Sequence, residues 1–155
     1  MSSRQFRPAP APGASQFRLK IRRSEIHRVG VFAAQKIPPG RKVIEYAGER
    51  VSIQEALRRL RKIWARKGSK HFYLMRLNRY WCVDGAVAGV GGQWINHSCD
   101  PNLAPRRNHG HVLLFSTRQI RKGEELSFDY RFPGNSRPVP CKCGSPKCRG
   151  TINLN

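Results

Sequence analysis

Acidic residues are scarce in this sequence, which has nine Asp and Glu against 30 Lys and Arg and a formal net charge of +21. Long apolar runs are also missing, since stretches such as residues 112–115 fall far short of the roughly 20 residues that span a bilayer. No apolar signal sequence is visible near Met1. These absences predict an intracellular protein without a membrane-spanning segment. The charge predicts an acidic partner, which is nucleic acid, an anionic membrane face or an acidic protein.

Aromatic residues argue against a wholly disordered chain, because seven Phe, four Tyr and three Trp can contribute to a core. The 155 residues fit one domain. Residues 1–16 are rich in Pro, Ala, Ser and Gln without hydrophobic periodicity, which predicts a disordered basic arm. The remainder predicts a mostly β fold with one main helix. We expect strands at residues 17–21, 31–34, 42–46, 72–75, 80–83, 111–115 and 125–128.

The single helix has clear boundary signals. Ser52 and Glu55 form an S-x-x-E capping box, and Gly68 is a candidate C-terminal stop. One helical face carries large apolar side chains, with Ile63 beside them: Ile53, Leu57, Leu60 and Trp64. The other face is basic, and it is either a solvated face or a surface for an anion or a partner: Arg58, Arg59, Arg61, Lys62, Arg66 and Lys67.

Cysteines cluster near the C-terminus, where Cys141, Cys143 and Cys148 form a C-x-C-x4-C array with Gly and Pro between them. Thiolates at this spacing suit a tetrahedral Zn²⁺ site, whereas disulfides are a poor alternative without a secretion signal. The alternative to a zinc site is that these three cysteines are free or oxidised thiols. Three ligands leave one position, which Cys99, Cys82 or a histidine would fill.

Five short motifs occur in a fixed order along the chain. They are G-V-F-A at residues 30–33, E-Y-A-G-E at 45–49, N-H-S-C-D-P-N at 96–102, G-E-E-L-S-F-D-Y at 123–130 and the cysteine array ending C-R-G at 150. Together they resemble the SET-domain protein-lysine methyltransferases that carry a post-SET zinc segment. The resemblance covers residues 17–155, with the SET domain at 17–132 and the post-SET segment at 133–155. A single motif of this length is weak evidence, because short motifs also occur by chance. Five motifs in the family's order are specific.

The resemblance implies a SET-domain (β-clip) fold of small, mostly antiparallel sheets. The strip with Asn96 and His97 would thread beneath the segment with Tyr130 and form a pseudoknot. It implies transfer of methyl groups from S-adenosyl-L-methionine to the ε-amine of a protein lysine. It also implies that zinc is bound by Cys99, Cys141, Cys143 and Cys148, and that Cys82 is an ordinary buried thiol.

The resemblance also implies roles for individual site residues. Tyr130 would be the catalytic tyrosine, and Tyr46 would contribute to catalysis from the wall of the lysine channel, which it shares with Phe128. Phe128 lacks a hydroxyl that would hold a water, which predicts di- or trimethylation. The cofactor would be bound by Gly30, Val31, Phe32, Asn96, His97 and Tyr130.

Two segments depart from the family's pattern. Arg28 stands where the first glycine of G-x-G usually lies, so its side chain either crowds the cofactor or is accommodated by the loop. Gln93 and Trp94 replace the usual Arg-Phe and remove a cation from the cofactor side. Arg28 and the high net charge support an alternative function, which is a catalytically weak SET-like module that binds nucleic acid or an acidic protein. A zinc-knuckle nucleic-acid protein would account for the cysteines and the charge but not for the other motifs.

The partner implied by the resemblance is a lysine of a histone-like or other chromatin or nucleoid protein. Because histone tails are themselves basic, a cationic enzyme repels an isolated tail. We therefore expect either a substrate met on nucleic acid, with the arm and the basic helix face on phosphates, or a lysine in acidic surroundings. The expected location is cytoplasmic in a bacterium and nuclear or chromosomal in a eukaryote. The sequence leaves the oligomeric state open.

Overall fold

The computed structural model describes residues 10–68 and 71–155. Within these two ranges the chain forms ten short strands, one α-helix (α1, Ile53–Ala65) and one 3-10 turn (Gly92–Trp94). The prediction of a mostly β fold with one main helix is therefore confirmed. The strands are β1 Leu19–Arg23, β2 Val29–Ala33, β3 Lys42–Glu45, β4 Glu49–Ser52, β5 Leu74–Arg76, β6 Trp81–Asp84, β7 Asn96–His97, β8 Leu103–Asn108, β9 His111–Ser116 and β10 Ser127–Phe128.

Four small sheets surround the core. β1 and β2 form an antiparallel hairpin, and two three-stranded antiparallel sheets have the orders β3-β9-β8 and β4-β6-β5. β7 and β10 pair in parallel, with Asn96 opposite Ser127 and His97 opposite Phe128. This pairing brings together two motifs that lie far apart in the sequence. Apolar residues facing inward from the sheets and their loops fill the core: Val31, Ile37, Ile44, Ile95, Leu114, Ile120 and Leu126.

Helix α1 begins at the predicted capping box, where Ser52 Oγ accepts a hydrogen bond from the Glu55 N–H at 3.1 Å. The helix ends at Ala65 with Arg66 as its C-cap, so it stops before Gly68. The predicted apolar face is only partly buried, because Leu57 and Trp64 are 46% and 38% exposed. Ala56 is the buried residue of the helix and packs beside Val51 and Cys82. A small side chain at this contact lets the helix lie close to the β4-β6-β5 sheet.

Arg59, which the helical pattern placed on the basic face, contacts the neighbouring sheet. Its Nη1 lies 2.7 Å from a Glu49 carboxylate oxygen on β4 and 2.8 Å from Asp84 Oδ2 on β6. Its Nε also contacts Glu55 at 2.8 Å. Glu49 and Asp84 therefore fasten Arg59, and the helix with it, to the sheet, while Glu55 holds the same guanidinium from within the helix.

The sequence patterns missed three strands. β4, β7 and β8 were not predicted: β4 is short and leads directly into the capping box, β7 lies inside a motif, and β8 contains Pro105 and two arginines. β8 is an edge strand of its sheet, and proline is tolerated at such an edge.

Residues 10–16, the end of the predicted disordered arm, contact the domain. The Ala11 N–H donates to the Val90 carbonyl at 2.8 Å, and Ala14 packs against the core. The structure thus differs from the predicted disorder at these residues, because the backbone and a small apolar side chain find partners there. Residues 1–9 of the predicted arm lie outside the described residues. Among the residues that are described, no helix is long and apolar enough to cross a membrane.

Candidate active site and metal centre

The parallel pairing of β7 with β10 places His97 beside Tyr130. His97 Nδ1 accepts a hydrogen bond from the Tyr130 backbone N–H at 3.1 Å. Burial lowers the pKa of His97 despite the opposing carboxylate of Asp129, so the ring is neutral at pH 7. With Nδ1 accepting, the proton of the neutral ring is on Nε2, which lies 3.4 Å from Cys99 Sγ. His97 therefore connects the backbone of Tyr130 to Cys99.

A row of aromatic rings includes the three residues that were predicted to form the lysine-binding part of the site. Ring centroids are separated by 6.3 Å from Tyr46 to Phe128 and by 4.8 Å from Phe128 to Tyr130. Phe132 continues the row 5.8 Å from Tyr130, and Phe72 stacks on Phe132 at 5.8 Å. Phe72 and Phe132 were not predicted as site residues, because they lie outside the motifs. The structure thus brings Tyr46, Phe128 and Tyr130 together as expected.

The hydroxyls of the two candidate catalytic tyrosines are both held by backbone carbonyls. Tyr130 Oη donates to the Ile95 carbonyl at 2.6 Å, and Tyr46 Oη donates to the Tyr73 carbonyl at 2.7 Å. Burial raises the pKa of both tyrosines above its ordinary value, so both are protonated at neutral pH. Each hydroxyl donates its one proton to a carbonyl, and the lone pairs of its oxygen can still accept a hydrogen bond from an amine.

Asn96 organises the loop that leads into β2. Its Nδ2 donates to the Val29 carbonyl at 2.9 Å and to Glu125 Oε1 at 2.8 Å. Ser24 Oγ donates to the same carboxylate at 2.8 Å. Glu125 and Ser24 are site residues that the sequence did not indicate, although Glu125 lies inside the G-E-E-L motif.

Gly30 has a structural reason to be glycine. A β-carbon there would overlap the Glu125 carboxylate and lie 3.1 Å from Ser24 Cβ. The glycine therefore leaves room for the Glu125 carboxylate.

The side chains of Val31 and Phe32 pack away from the Asn96 network. Val31 is fully buried in the core, and its carbonyl accepts from the Leu126 N–H at 2.7 Å. Phe32 lies under the Arg22 guanidinium, whose carbon is 3.8 Å from the ring centroid. Neither side chain joins the cluster that the structure forms around Asn96 and His97.

Four thiols from two distant parts of the chain form one cluster. The Sγ atoms of Cys99, Cys141, Cys143 and Cys148 all lie within 4.8 Å of one another, and those of Cys99 and Cys141 are 3.7 Å apart. Tetrahedral zinc with Zn–S bonds of about 2.3 Å places its sulfurs about 3.8 Å apart. The four residues therefore fit a zinc ion. Cys82 is buried in a separate apolar cluster with Val51 and Ala56, so it is not a fourth ligand.

The thiols of the cluster differ in how readily they ionise, because burial raises the pKa values of Cys99 and Cys141 whereas that of Cys143 is lowered. Burial alone would raise the pKa of Cys143, but hydrogen bonds from backbone N–H groups and neighbouring thiols lower it to about 6. A thiol that ionises near neutral pH is a ready zinc ligand. The Arg149 backbone N–H also points at Cys99 Sγ, at 3.4 Å.

Comparison with known sequences identifies the family to which this arrangement belongs. A sequence model of the SET domain matches residues 28–131. The chain belongs to the SET-domain family. This SET domain is 38% identical to the histone-lysine N-methyltransferase set1 of Dictyostelium discoideum over 140 residues, which is 88% of the chain and 9% of that relative. It is 40% identical over 134 residues to the H3 lysine-4 specific histone-lysine N-methyltransferase of Schizosaccharomyces pombe, covering 84% of the chain and 14% of the relative.

A human relative, histone-lysine N-methyltransferase 2B, is 38% identical over 140 residues, which is 86% of the chain and 5% of that protein. The chain thus spans only a small part of the length of the relatives that it matches. The likeness concerns the SET domain and says nothing about the rest of those proteins.

Arg28 and Gln93, which depart from the family's pattern, are both accommodated. Arg28 has φ of +45°, the left-handed conformation that favours glycine, and its carbonyl accepts from the Ser24 N–H at 3.0 Å. The backbone of this SET domain therefore adopts at Arg28 a conformation that glycine would adopt without strain. For arginine this conformation costs about 1–2 kcal/mol of conformational free energy. Gln93 is buried, and its Oε1 accepts from the Gly91 N–H at 2.8 Å. It supports a neighbouring turn in place of supplying a cation.

Arg149 fastens the C-terminal segment beside Tyr130. Its guanidinium makes two contacts with the Asp129 carboxylate, at 2.8 and 3.0 Å, and donates to the Ile152 carbonyl at 3.0 Å. Burial alone would raise the pKa of Asp129, but Arg149 holds it below its ordinary value. The cysteine cluster and the candidate catalytic tyrosine are therefore joined through Asp129 as well as through His97.

The overlap at Gly30 leads to a first prediction. Gly30→Ala is expected to lower the free energy of unfolding by about 1–3 kcal/mol, because the new β-carbon displaces the Glu125 carboxylate. Chemical denaturation of Gly30→Ala, Glu125→Ala and the double variant measures the coupling. The double variant should be more stable than the sum of the single changes predicts. Strictly additive losses would show that Glu125 is not the reason for the glycine.

Proposed function

We propose that this SET domain transfers methyl groups from S-adenosyl-L-methionine to the ε-amine of a lysine in a histone-like or other chromatin or nucleoid protein. The observation that carries the proposal is the position of Tyr130, beside His97 in the aromatic row, with its hydroxyl held by Ile95. The similarity to histone-lysine methyltransferases supports the same reaction. A chromosomal location follows from such a substrate in a eukaryote, and a cytoplasmic one in a bacterium.

Methyl transfer requires a neutral lysine amine. Lysine has an ordinary pKa of about 10.4, so only about one amine in 2,500 is neutral at pH 7. A channel lined by Tyr46, Phe128 and Tyr130 disfavours the ammonium form by removing its water. The aromatic row thus increases the neutral fraction without a strong general base.

The second task of the site is alignment. S-adenosyl-L-methionine supplies, when bound, a methyl group on a positively charged sulfur. Tyr130 Oη, fixed by its bond to the Ile95 carbonyl, would accept a hydrogen bond from the lysine amine and orient its lone pair. Positioning of this kind accounts for a large part of the rate increase in reactions between two bound groups.

Cofactor binding remains assigned to Gly30, Val31, Phe32, Asn96, His97 and Tyr130 as a proposal. The contacts of these residues refine how they would act. Asn96 uses its amide to hold the loop at Val29, and Val31 uses its side chain in the core. These residues would therefore contribute through backbone groups and through the shape of the loop.

Zinc is the second proposed cofactor, held by Cys99, Cys141, Cys143 and Cys148. Its role is structural, because four protein ligands leave no open position for a substrate. The ion would keep residues 133–155 beside Asp129 and Tyr130.

The proposal is tested by incubating the protein with isotopically labelled S-adenosyl-L-methionine and histones, nucleosomes or a cell extract. Mass spectrometry then locates the label on individual lysines, and a Tyr130→Phe protein serves as the control. Absence of Tyr130-dependent label on every lysine would favour the alternative, a catalytically weak module that binds nucleic acid or an acidic protein. That alternative rests on the net charge of +21 and on Arg28.

The degree of methylation provides a further prediction. Phe128 lies 4.8 Å from Tyr130, measured between ring centroids, and has no hydroxyl to hold a water in the channel. We expect di- or trimethyl-lysine from the native protein and mostly monomethyl-lysine from Phe128→Tyr, as measured by mass spectrometry. Phe115→Tyr, which adds a hydroxyl on β9 under Arg106, is the matched control and should leave the products unchanged. Exclusive monomethylation by the native protein would contradict this prediction.

A further inference from the structure

The loop between β1 and β2 is closed by hydrogen bonds at its first residue, Ser24. The Ser24 N–H donates to the Arg28 carbonyl at 3.0 Å, and the Ile26 N–H donates to Ser24 Oγ at 3.0 Å. Arg28 is in the left-handed conformation, which a residue with a β-carbon keeps only where the surrounding structure holds it. The conformation of this loop therefore depends on how firmly Ser24 is held.

The side chain of Glu125 reaches this loop from the segment between β9 and β10. The Glu125 backbone forms an isolated antiparallel bridge with Phe32 on β2, and its carboxylate lies against Gly30, which has no β-carbon to exclude it. The carboxylate accepts hydrogen bonds from Ser24 Oγ and from Asn96 Nδ2, both at 2.8 Å. One carboxylate thus holds both the first residue of the loop and Asn96.

Both groups that donate to the Glu125 carboxylate also hold other parts of the loop. The Ser24 hydroxyl has a single proton, and because that proton goes to the carboxylate, the oxygen lone pairs remain available to the Ile26 N–H. Asn96 Nδ2 also donates to the Val29 carbonyl at 2.9 Å. The carboxylate therefore fixes the direction of both donors and, through them, the shape of the loop.

We infer that Glu125 is a positioning residue, which acts through Ser24 and Asn96 to hold the β1–β2 loop in the shape that binds the cofactor. The inference rests on the proposed function, because Gly30 and Asn96 belong to the proposed cofactor site. It adds a role for a residue outside that site. It also predicts a change in the affinity for the cofactor with little change in the affinity for the lysine substrate.

The role requires an acceptor of hydrogen bonds and not a negative charge. In the described part of the chain Glu125 forms no ion pair, whereas the neighbouring Glu124 pairs with two arginines. Glu125→Gln keeps an oxygen that can accept both hydrogen bonds of Oε1. Glu125→Met keeps a similar length but has no oxygen, so Ser24 and Asn96 lose their acceptor. The two substitutions therefore separate the acceptor from the charge.

Isothermal titration calorimetry with S-adenosyl-L-homocysteine, the demethylated form of the cofactor, tests the inference without a lysine substrate. The variants are Glu125→Gln, Glu125→Met and, as a matched control on the same segment, Glu124→Met. Circular dichroism and thermal unfolding check that each variant is folded at the temperature of the titration. Ser24→Ala removes only one of the two donors and serves if Glu125→Met does not fold. Amide hydrogen exchange of the free proteins measures the loop without any ligand.

We expect Glu125→Met to raise the Kd for S-adenosyl-L-homocysteine at least about tenfold, because two buried donors lose their acceptor. Glu125→Gln should stay within about threefold of the native Kd, and Glu124→Met should leave it unchanged. Amide exchange in the loop should accelerate in Glu125→Met but not in the control. In methylation assays, the KM for the lysine substrate should change by less than about twofold in every variant.

Three results would overturn the inference. The first is an unchanged Kd in a folded Glu125→Met protein. The second is an equal loss in Glu125→Gln and Glu125→Met, because the charge would then be the cause. The third is an equal rise in the cofactor Kd and the lysine KM, which would indicate a general loss of structure. A native protein that binds no S-adenosyl-L-homocysteine would contradict the proposed function itself, and the inference with it.

Discussion

Cys141→Ser is expected to remove zinc and to abolish the order of the C-terminal segment. Within residues 133–155 only Asn153 is buried, and it is a polar side chain that accepts from the Val139 N–H at 2.9 Å. The segment therefore has no apolar core that could replace the metal. Structural zinc sites in small peptides contribute about 10–16 kcal/mol of apparent binding free energy, which is also their folding free energy.

Methyl transfer should be lost together with the metal. Cys99 contacts His97, which holds the Tyr130 backbone, and Arg149 in the segment holds Asp129. Release of the segment removes the Arg149 contact to Asp129 and leaves Cys99, which lies against His97, without the other three thiols of the cluster. A displacement of about 1 Å at a reacting centre costs about 10²-fold in rate, so we expect at least that loss in kcat/KM.

Cys82→Ala is the matched control for this experiment. Cys82 is also a buried thiol, but it packs between β6 and α1 and lies outside the cluster. Its replacement should cost about 1 kcal/mol of stability and leave zinc content and activity unchanged. Elemental analysis measures the zinc, hydrogen exchange measures the order of the segment, and methylation assays measure the rate. A Cys141→Ser protein that retains one zinc and its full rate would contradict the proposed centre.

Tyr130→Phe is expected to lower kcat by about 10²-fold or more with a smaller effect on KM. The change removes the oxygen proposed to orient the lysine amine but keeps the ring, which lies 4.8 Å from Phe128 and 5.4 Å from His97 between centroids. Removal of one preorganised hydrogen-bonding group in a water-poor site costs this much in other enzymes. A fall in kcat with KM retained would mean that the hydroxyl acts mainly in the transition state.

Tyr46→Phe is the comparison that separates orientation from stability. Each variant leaves one backbone carbonyl without its donor, that of Ile95 in one case and that of Tyr73 in the other. Each should therefore lose about 1–3 kcal/mol of stability. Steady-state kinetics at saturating cofactor should show the larger loss of kcat for Tyr130→Phe. Equal and small losses in the two variants would remove Tyr130 from its proposed role.

Local features of the sequence determined several elements directly. Ser52 and Glu55 predicted the start of the helix, because a capping box satisfies backbone N–H groups within one turn. The C-x-C-x4-C spacing predicted three thiols at one metal centre, because cysteines separated by only a few residues are also close in space. The ordered motifs indicated the family, and the family match confirms it.

The fourth metal ligand required more than local spacing. From the residues alone, Cys99, Cys82 and a histidine were equal candidates, and only the resemblance implied Cys99. Cys99 lies 42 residues before Cys141 in the sequence, yet their sulfurs are 3.7 Å apart in the fold. Such a contact depends on the whole course of the chain, so no short pattern reports it.

Tertiary structure alone decided which partners the functional residues have. It placed Glu125 in the space left by Gly30, and it joined Arg149 to Asp129 beside the candidate catalytic tyrosine. It also exposed Leu57 on a helical face that its periodicity marked as apolar, because Ala56 makes the close contact with the sheet. Sequence patterns determined which chemical groups are available and where the helix begins. Packing between distant segments decided which of those groups meet, because burial and hydrogen bonding across the fold are properties of the assembled chain.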